Sequence, residues 1–186
     1  MAAQPVEYPG KLFYRRSLTM LAVIACVISV QAAAADLTGQ ASVIDGDTIE
    51  IHGTHVRIWG IDAPEGSQLC RGGDGLPYRC GAQAANALAD WIGRRVVSCS
   101  KAGPDSYGRT VAMCSVDGDD LGAWMISQGY ALDWPHYSRG RYSTQQREAV
   151  AAGRGIHVGI FVNPWDYRRC VKGGGRIAEC STFGKQ

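Results

Sequence analysis

Between residues 41 and 61 apolar and polar residues alternate, and tight turns break the alternation every few positions. This pattern constrains the fold more than any other feature of the chain. Over residues 41–51 it runs on either side of Asp45-Gly46, a dipeptide suited to a hairpin turn. Gly53-Thr54 marks a second turn, and residues 55–61 alternate again. Strand side chains point to opposite faces with a period of two, so the stretch predicts a meander of three short antiparallel strands. Two more strands are expected over residues 95–99 and 110–116, joined by a loop that holds Asp105 to Arg109. Residues 81–92 place Ala85, Leu88, Ala89 and Ile92 on one helical face. A second helix is expected to start at Asp119 or Asp120 as N-cap and stop at Gly129. A third starts at Ser143, with Gln146 completing a capping box, and frays over residues 153–155. Five short strands with small helices predict a mainly β, α+β domain: a small closed barrel with helices packed on its side.

Residues 1–35 read as a leader outside that domain. Lys11, Arg15 and Arg16 form a basic region, residues 18–30 are almost unbroken apolar, and Ala33-Ala34-Ala35 suits a signal peptidase. The apolar run falls short of the roughly 20 residues that span a bilayer. The expectation is cleavage near Ala35 and export to the periplasm or beyond. Val23-Ile-Ala-Cys26 also resembles a lipoprotein box, which leaves lipid anchoring through Cys26 as the lesser alternative. The expected organisation is a signal peptide over 1–35, a barrel domain over 36–165 and a disulfide-closed tail over 166–186.

Loss of the leader changes the charge argument. Of 19 Lys and Arg, three lie before residue 36, and of 17 Asp and Glu only Glu7 does, so 16 of each remain and net charge is zero. Overall basicity therefore does not point to nucleic acid; its distribution does. Residues 36–120 carry 7 basic and 12 acidic groups, and residues 121–186 carry 9 and 4. An acidic half able to hold a cation faces a basic tail able to approach phosphate. Cys70, Cys80, Cys99, Cys114, Cys170 and Cys180 also remain, and six cysteines in an exported chain read as three disulfides. Sequence does not choose among about 15 pairings. Nearest neighbours are the simplest assignment, and an antiparallel pair of strands around the Asp105–Arg109 loop would bring Cys99 opposite Cys114.

Three segments carry the chemistry: Asp45-Gly-Asp-Thr48, Arg57-Ile-Trp-Gly-Ile-Asp-Ala-Pro-Glu65 and Asp105-Ser-Tyr-Gly-Arg109. They combine carboxylates able to hold a hard divalent cation, a further carboxylate for a water molecule, and guanidinium forks for phosphate oxygens. Asp45 and Gly46 read as turn formers outside any metal site. Tyr107, Tyr137 and Tyr142, interleaved with Arg139 and Arg141, are candidates for stacking on bases. His52, His55 and His157 lack metal spacing and read as structural.

In this order and spacing the segments resemble the staphylococcal nuclease family, from about residue 41 to 161, with the Gln128-Gly129 and Glu148-Ala149 elements included. The resemblance implies a five-stranded oligonucleotide-binding (OB-fold) barrel with about three helices. It implies calcium-dependent cleavage of DNA and RNA to 3′-phosphates and 5′-hydroxyls, with neither nucleic acid nor an endo or exo mode preferred. By the same resemblance Asp47, Asp62 and the carbonyl of Ala63 are Ca²⁺ ligands, Arg57, Glu65 and Arg109 are catalytic, and Tyr107 and Tyr137 bind substrate. Nucleic acid is then the expected partner of a monomer, with no stable protein partner and no membrane span in the mature form. The sequence departs from the family at Pro135, where a further substrate-binding tyrosine would stand, and between Cys70 and Cys80. The alternative function is an OB-fold module that binds nucleic acid without cleaving it. Retention of Arg57, Glu65 and Arg109 favours the enzyme.

Overall fold

The computed structural model describes Met1 and residues 37–105 and 109–181, and every secondary-structure element lies in the unit that runs from Ala32–Gln186. The expected leader and Cys26 lie outside the described residues. The strands are β1 (Leu37–Asp45), β2 (Thr48–Ile51), β3 (Thr54–Ile58), β4 (Ile61–Asp62), β5 (Cys70–Arg71), β6 (Pro77–Tyr78), β7 (Val96–Pro104), β8 (Thr110–Val116), β9 (Asp119–Asp120) and β10 (Leu132–Asp133). The helices are α1 (Cys80–Ile92), α2 (Leu121–Ser127), α3 (Pro135–Ser138), α4 (Ser143–Ala151), α5 (Pro164–Lys172) and α6 (Ile177–Ser181).

The main sheet runs β3-β2-β1-β7-β8-β9, and β3 also pairs with β8 in parallel. That pairing closes β1, β2, β3, β7 and β8 into a five-stranded barrel, the OB-like α+β fold expected. Its interior is apolar, with Ile49, Ile51, Val56, Ile58, Val97 and Val116 buried. Ala84, Leu88 and Ile92 of α1 and Leu121, Met125 and Ile126 of α2 complete the core. Closing the sheet removes exposed edges from its strands, which small antiparallel sheets otherwise must protect.

The expected meander is present, with boundaries moved by turn chemistry. The β2–β3 turn is His52-Gly53, both at positive φ (51° and 76°), rather than Gly53-Thr54. Two positive-φ residues match the right-handed twist of a two-residue hairpin. The third strand stops at Ile58, because Gly60 at φ 78° turns the chain before β4. Strand β7 extends to Pro104, well past residue 99. Asp120 caps α2 by accepting from the Ala123 N–H at 3.0 Å. The capping box at Ser143 does not form: Tyr142 is the N-cap and makes no side-chain capping bond, and Gln146 instead accepts from the Asp133 N–H at 2.9 Å. A long-range partner has taken the side chain that local capping would use.

The cysteines join as Cys70–Cys80, Cys99–Cys114 and Cys170–Cys180. Cys99 and Cys114 are directly opposite in the β7–β8 register. The tail is more ordered than a Gly-rich loop: α5 and α6 form there, linked by Cys170–Cys180. Among the described residues no helix is long and apolar enough to cross a membrane.

Candidate active site

The site is assembled from five stretches of chain: the β1–β2 turn, residues 57–65, the base of the β7–β8 loop, residues 134–137 and α5. Asp47 ends the β1–β2 turn, where its N–H donates to the Asp45 carboxylate at 3.0 Å. Asp45 thus acts as the expected turn former, and it also lines the pocket described below. Gly46 lets this turn press against its neighbours, since a Cβ there would lie 2.7 Å from the Ala63 Cβ. Asp62 ends β4, and Ala63 and Glu65 follow around Pro64. Gly81 in the first turn of α1 meets the same segment: a Cβ there would fall 1.8 Å from the Glu65 carbonyl oxygen. Only glycine lets the helix approach that closely.

Arg57 of β3 ties the two buried aspartates together. Its Nη1 donates to Asp47 Oδ1 at 2.7 Å and its Nη2 to Asp62 Oδ1 at 2.8 Å. Asp47 also accepts from the Ala63 N–H on Oδ2 at 3.0 Å and from the Thr48 hydroxyl on Oδ1 at 3.1 Å. Asp62 is fully buried. The expected cation ligands and one expected catalytic arginine therefore share a single hydrogen-bonded cluster.

Burial pushes the Asp47 carboxyl up to about 6, against the opposing pull of Arg57. Burial also pushes Asp62 up, against its bonds from a second arginine, Arg168. Arg57 is itself held above its ordinary value: burial opposes its charge, and Asp47 and Asp62 outweigh that. Buried carboxylates that the arginines leave raised are where added positive charge stabilises most. Two carboxylates and the Ala63 carbonyl are hard oxygen donors of the kind Ca²⁺ takes, so the residues present fit such an ion. No cluster of three or more His, Cys, Asp or Glu suited to a metal occurs among the described residues. A cation here would complete its shell with the carbonyl, water and substrate oxygens.

Next to the cluster a pocket of about 450 Å³ opens, lined by Asp45, Arg57, Glu65, Asp105, Arg109, Trp134, Tyr137 and Arg168. Arg109 enters it from the β7–β8 hairpin, where its Nε donates to Asp105 Oδ2 at 2.6 Å and its N–H to Oδ1 at 2.8 Å. Glu65 faces the pocket with a third of its side chain exposed. Tyr137 is half-exposed and packs edge-on against Trp134, with ring centroids 4.5 Å apart. Tyr107 lies outside the described residues. Tyr142 is not available for stacking: it is buried, and its hydroxyl donates to Asp120 at 3.1 Å. His157 is half-buried against Gln146 and Phe161, as a structural residue would be. A larger groove of about 910 Å³, between Tyr78, Asn86 and Tyr130, shares no residue with the charged pocket.

Of the residues lining this pocket, sequence reasoning gave no place to Arg168, and Trp134 stood there only as a candidate to compensate for Pro135. Trp134 lies beneath both Arg57 and Arg168, whose guanidinium carbons sit 5.8 and 5.5 Å from its ring centre. Arg168 of α5 donates to both oxygens of Asp62, at 2.8 and 2.7 Å, and to Glu65 Oε1 at 2.7 Å. Burial opposes its charge, yet these carboxylates hold its pKa above the ordinary value. The only signal in the sequence was the basic tail facing an acidic half.

Comparison with known proteins bears on the family of the chain. The chain is 42% identical over 142 residues to the succinoglycan biosynthesis protein ExoI of Rhizobium meliloti, covering 74% of each chain. It is 27% identical over 170 residues to a micrococcal nuclease of Shigella flexneri, covering 81% of this chain and 91% of that one. An uncharacterized endonuclease of Haemophilus influenzae is 28% identical over 162 residues, covering 83% and 85%. The family profile described as staphylococcal nuclease homologue matches residues 55–161. Asp47 precedes that span but shares Arg57 with Asp62, which lies within it. With a five-stranded barrel, this charged pocket and a match over more than half its length, the chain belongs to the staphylococcal nuclease homologue family and carries a nuclease domain.

Proposed function

We propose that this protein is an exported, calcium-dependent nuclease that hydrolyses phosphodiester bonds of DNA or RNA and leaves 3′-phosphates. The observation that carries the reading is Arg57, whose one fork holds Asp47 and Asp62 at the edge of a pocket that Glu65 and Arg109 also line. Asp47, Asp62 and the Ala63 carbonyl would hold the ion. When bound, Ca²⁺ supplies the charge that polarises the scissile phosphate. Glu65 orients a water for in-line attack and accepts its proton. Arg57 and Arg109 donate charge-assisted hydrogen bonds to the phosphate oxygens and offset the charge of the five-coordinate transition state. Tyr137, with Trp134 beside it, offers a surface on which a base can stack. Three disulfides support a site of action outside the cytoplasm.

The test is to incubate purified residues 36–186 with single-stranded DNA and RNA, in Ca²⁺ or in excess chelator. Cleavage is expected with Ca²⁺, and weaker cleavage with Mg²⁺, which demands a tighter octahedral shell. Undiminished cleavage in chelator would overturn the metal assignment.

A further inference from the structure

Arg168 reaches the site from an element that the family profile, ending at residue 161, does not cover. Its helix is firmly seated. Tyr167 is buried, and its hydroxyl bonds Ser67 Oγ at 2.9 Å. Just before α5, the Val162 carbonyl accepts from Gln68 Nε2 at 2.6 Å. Just after Glu65, the Leu69 N–H donates to Ser181 Oγ of α6 at 3.0 Å, and Cys170–Cys180 joins the two helices. The tail is thus fastened along residues 67–69, and Arg168 projects from it onto Asp62 and Glu65.

A carboxylate has about four lone-pair positions. Three of those on Asp62 are taken: Arg57 and Arg168 donate to Oδ1, and Arg168 also donates to Oδ2. The same guanidinium neutralises Glu65. An arginine placed this way supplies the positive charge that a cation would otherwise bring, and it occupies the oxygens a cation would use. Two positive charges on one buried carboxylate repel, so occupancy by one weakens the other. Arg168 is 26% exposed and lines the pocket, so the side of its guanidinium away from Asp62 meets solvent-accessible space.

We infer that Arg168 is the resident counter-charge of Asp62 and Glu65, which the divalent cation must displace from Asp62, so that Arg168 sets the metal affinity of the site. The inference rests on the reading of Asp47 and Asp62 as cation ligands. It implies that removing a positively charged active-site residue tightens Ca²⁺ binding.

The test is calorimetric titration of Ca²⁺ into substrate-free protein: wild type, Arg168→Met, and Arg169→Ala as the control. Arg169 is its neighbour in sequence, exposed and paired along its own helix with Asp166. Arg168→Met is expected to lower the Kd for Ca²⁺ about tenfold, within the usual range of coupling between two ligands. Arg169→Ala should leave it within about twofold, because exposed charge is screened. If Arg168→Met does not fold by circular dichroism, Arg168→Lys replaces it. Lysine keeps the charge and loses the two-pronged grip, so a smaller tightening is expected. Affinity unchanged or weaker in the Arg168 variant overturns the inference and leaves the metal site standing. If a loss of oligonucleotide affinity accompanies unchanged Ca²⁺ affinity, Arg168 is a phosphate contact instead. Absence of Ca²⁺ binding in wild type and variants alike would overturn the metal reading together with the inference.

Discussion

Asp47, Asp62, Arg57 and Glu65 come from β-turn, strand end, strand and loop, and each has an ordinary structural use when taken alone. What separates them from ordinary charges is mutual placement. Arg57 spends both ends of its fork on two buried carboxylates, so its position is set to within hydrogen-bond tolerance. Glu65 is held by its backbone, which donates to Gln68 Oε1 at 3.2 Å and packs directly on Gly81. Its carboxylate faces the pocket, with Arg168 donating to Oε1 at 2.7 Å. Arg57→Ala, Arg109→Ala and Glu65→Gln are each expected to lower turnover by at least about 10²-fold, the scale for losing one transition-state group. Single-turnover assays at saturating Ca²⁺ measure this, with circular dichroism to show that each variant folds. A variant with near-normal turnover loses its assigned role. Arg57→Ala carries an added cost, since buried Asp47 loses its arginine and buried Asp62 keeps only Arg168, so its stability should fall more than that of Arg109→Ala.

At the scale of elements, the β7–β8 hairpin both closes the barrel and carries Asp105 and Arg109 at its tip. The disulfide between Cys99 and Cys114 crosses this hairpin between directly paired residues. A covalent link spanning 15 residues is worth about 3 kcal/mol in the chain-entropy model. The double variant Cys99→Ser, Cys114→Ser is therefore expected to lose about that much stability in urea unfolding. Turnover should fall further than substrate affinity, because an error of about 1 Å in placing Arg109 weakens the transition state most. A stability loss under about 0.5 kcal/mol, the size of an ordinary surface substitution, would show that strand pairing alone fixes the hairpin. The tail helices are a second such device. Cys170–Cys180 fastens α6 to α5, and α5 carries Arg168.

Considered as a whole, the protein buries negative charge at the end of a barrel whose interior is otherwise apolar. On the proposed reading of Asp47 as a cation ligand, that placement links metal, proton and stability. Without a cation, Asp47 has its pKa raised from 3.8 to about 6, so the folded state holds a proton more tightly than the unfolded chain does. The contribution of Asp47 to stability is then greatest below its unfolded pKa and is lost as pH rises from about 4 to about 6. A cation binds the ionised form and reverses the trend, so Ca²⁺ affinity should weaken as pH falls through about 6. The rise in Tm produced by saturating Ca²⁺ is expected to be larger at pH 7 than at pH 5. An equal rise at the two pH values would remove Asp47 from the set of titrating ligands.

Much of this was readable along the chain because it is local. Period-two alternation, the turn glycines, the Asp120 cap and the apolar face of α1 report on neighbours within a few residues. Backbone geometry makes that information sufficient for strand and helix placement. The motif residues were legible for the same reason, as three short segments in a given order. Tertiary structure alone decided everything that depends on long-range partners. The parallel β3–β8 pairing closes the barrel, Gln146 leaves its cap for Asp133, and Tyr142 turns inward to Asp120. Arg168 stands 106 residues from Asp62 in sequence, on a tail with no alternating pattern and no motif. Nothing local distinguishes it from Arg169, which points to solvent one residue later. A helix turns about 100° per residue, so docking of α5 through Tyr167 and the 67–69 segment aims one guanidinium at the buried carboxylates and its neighbour away.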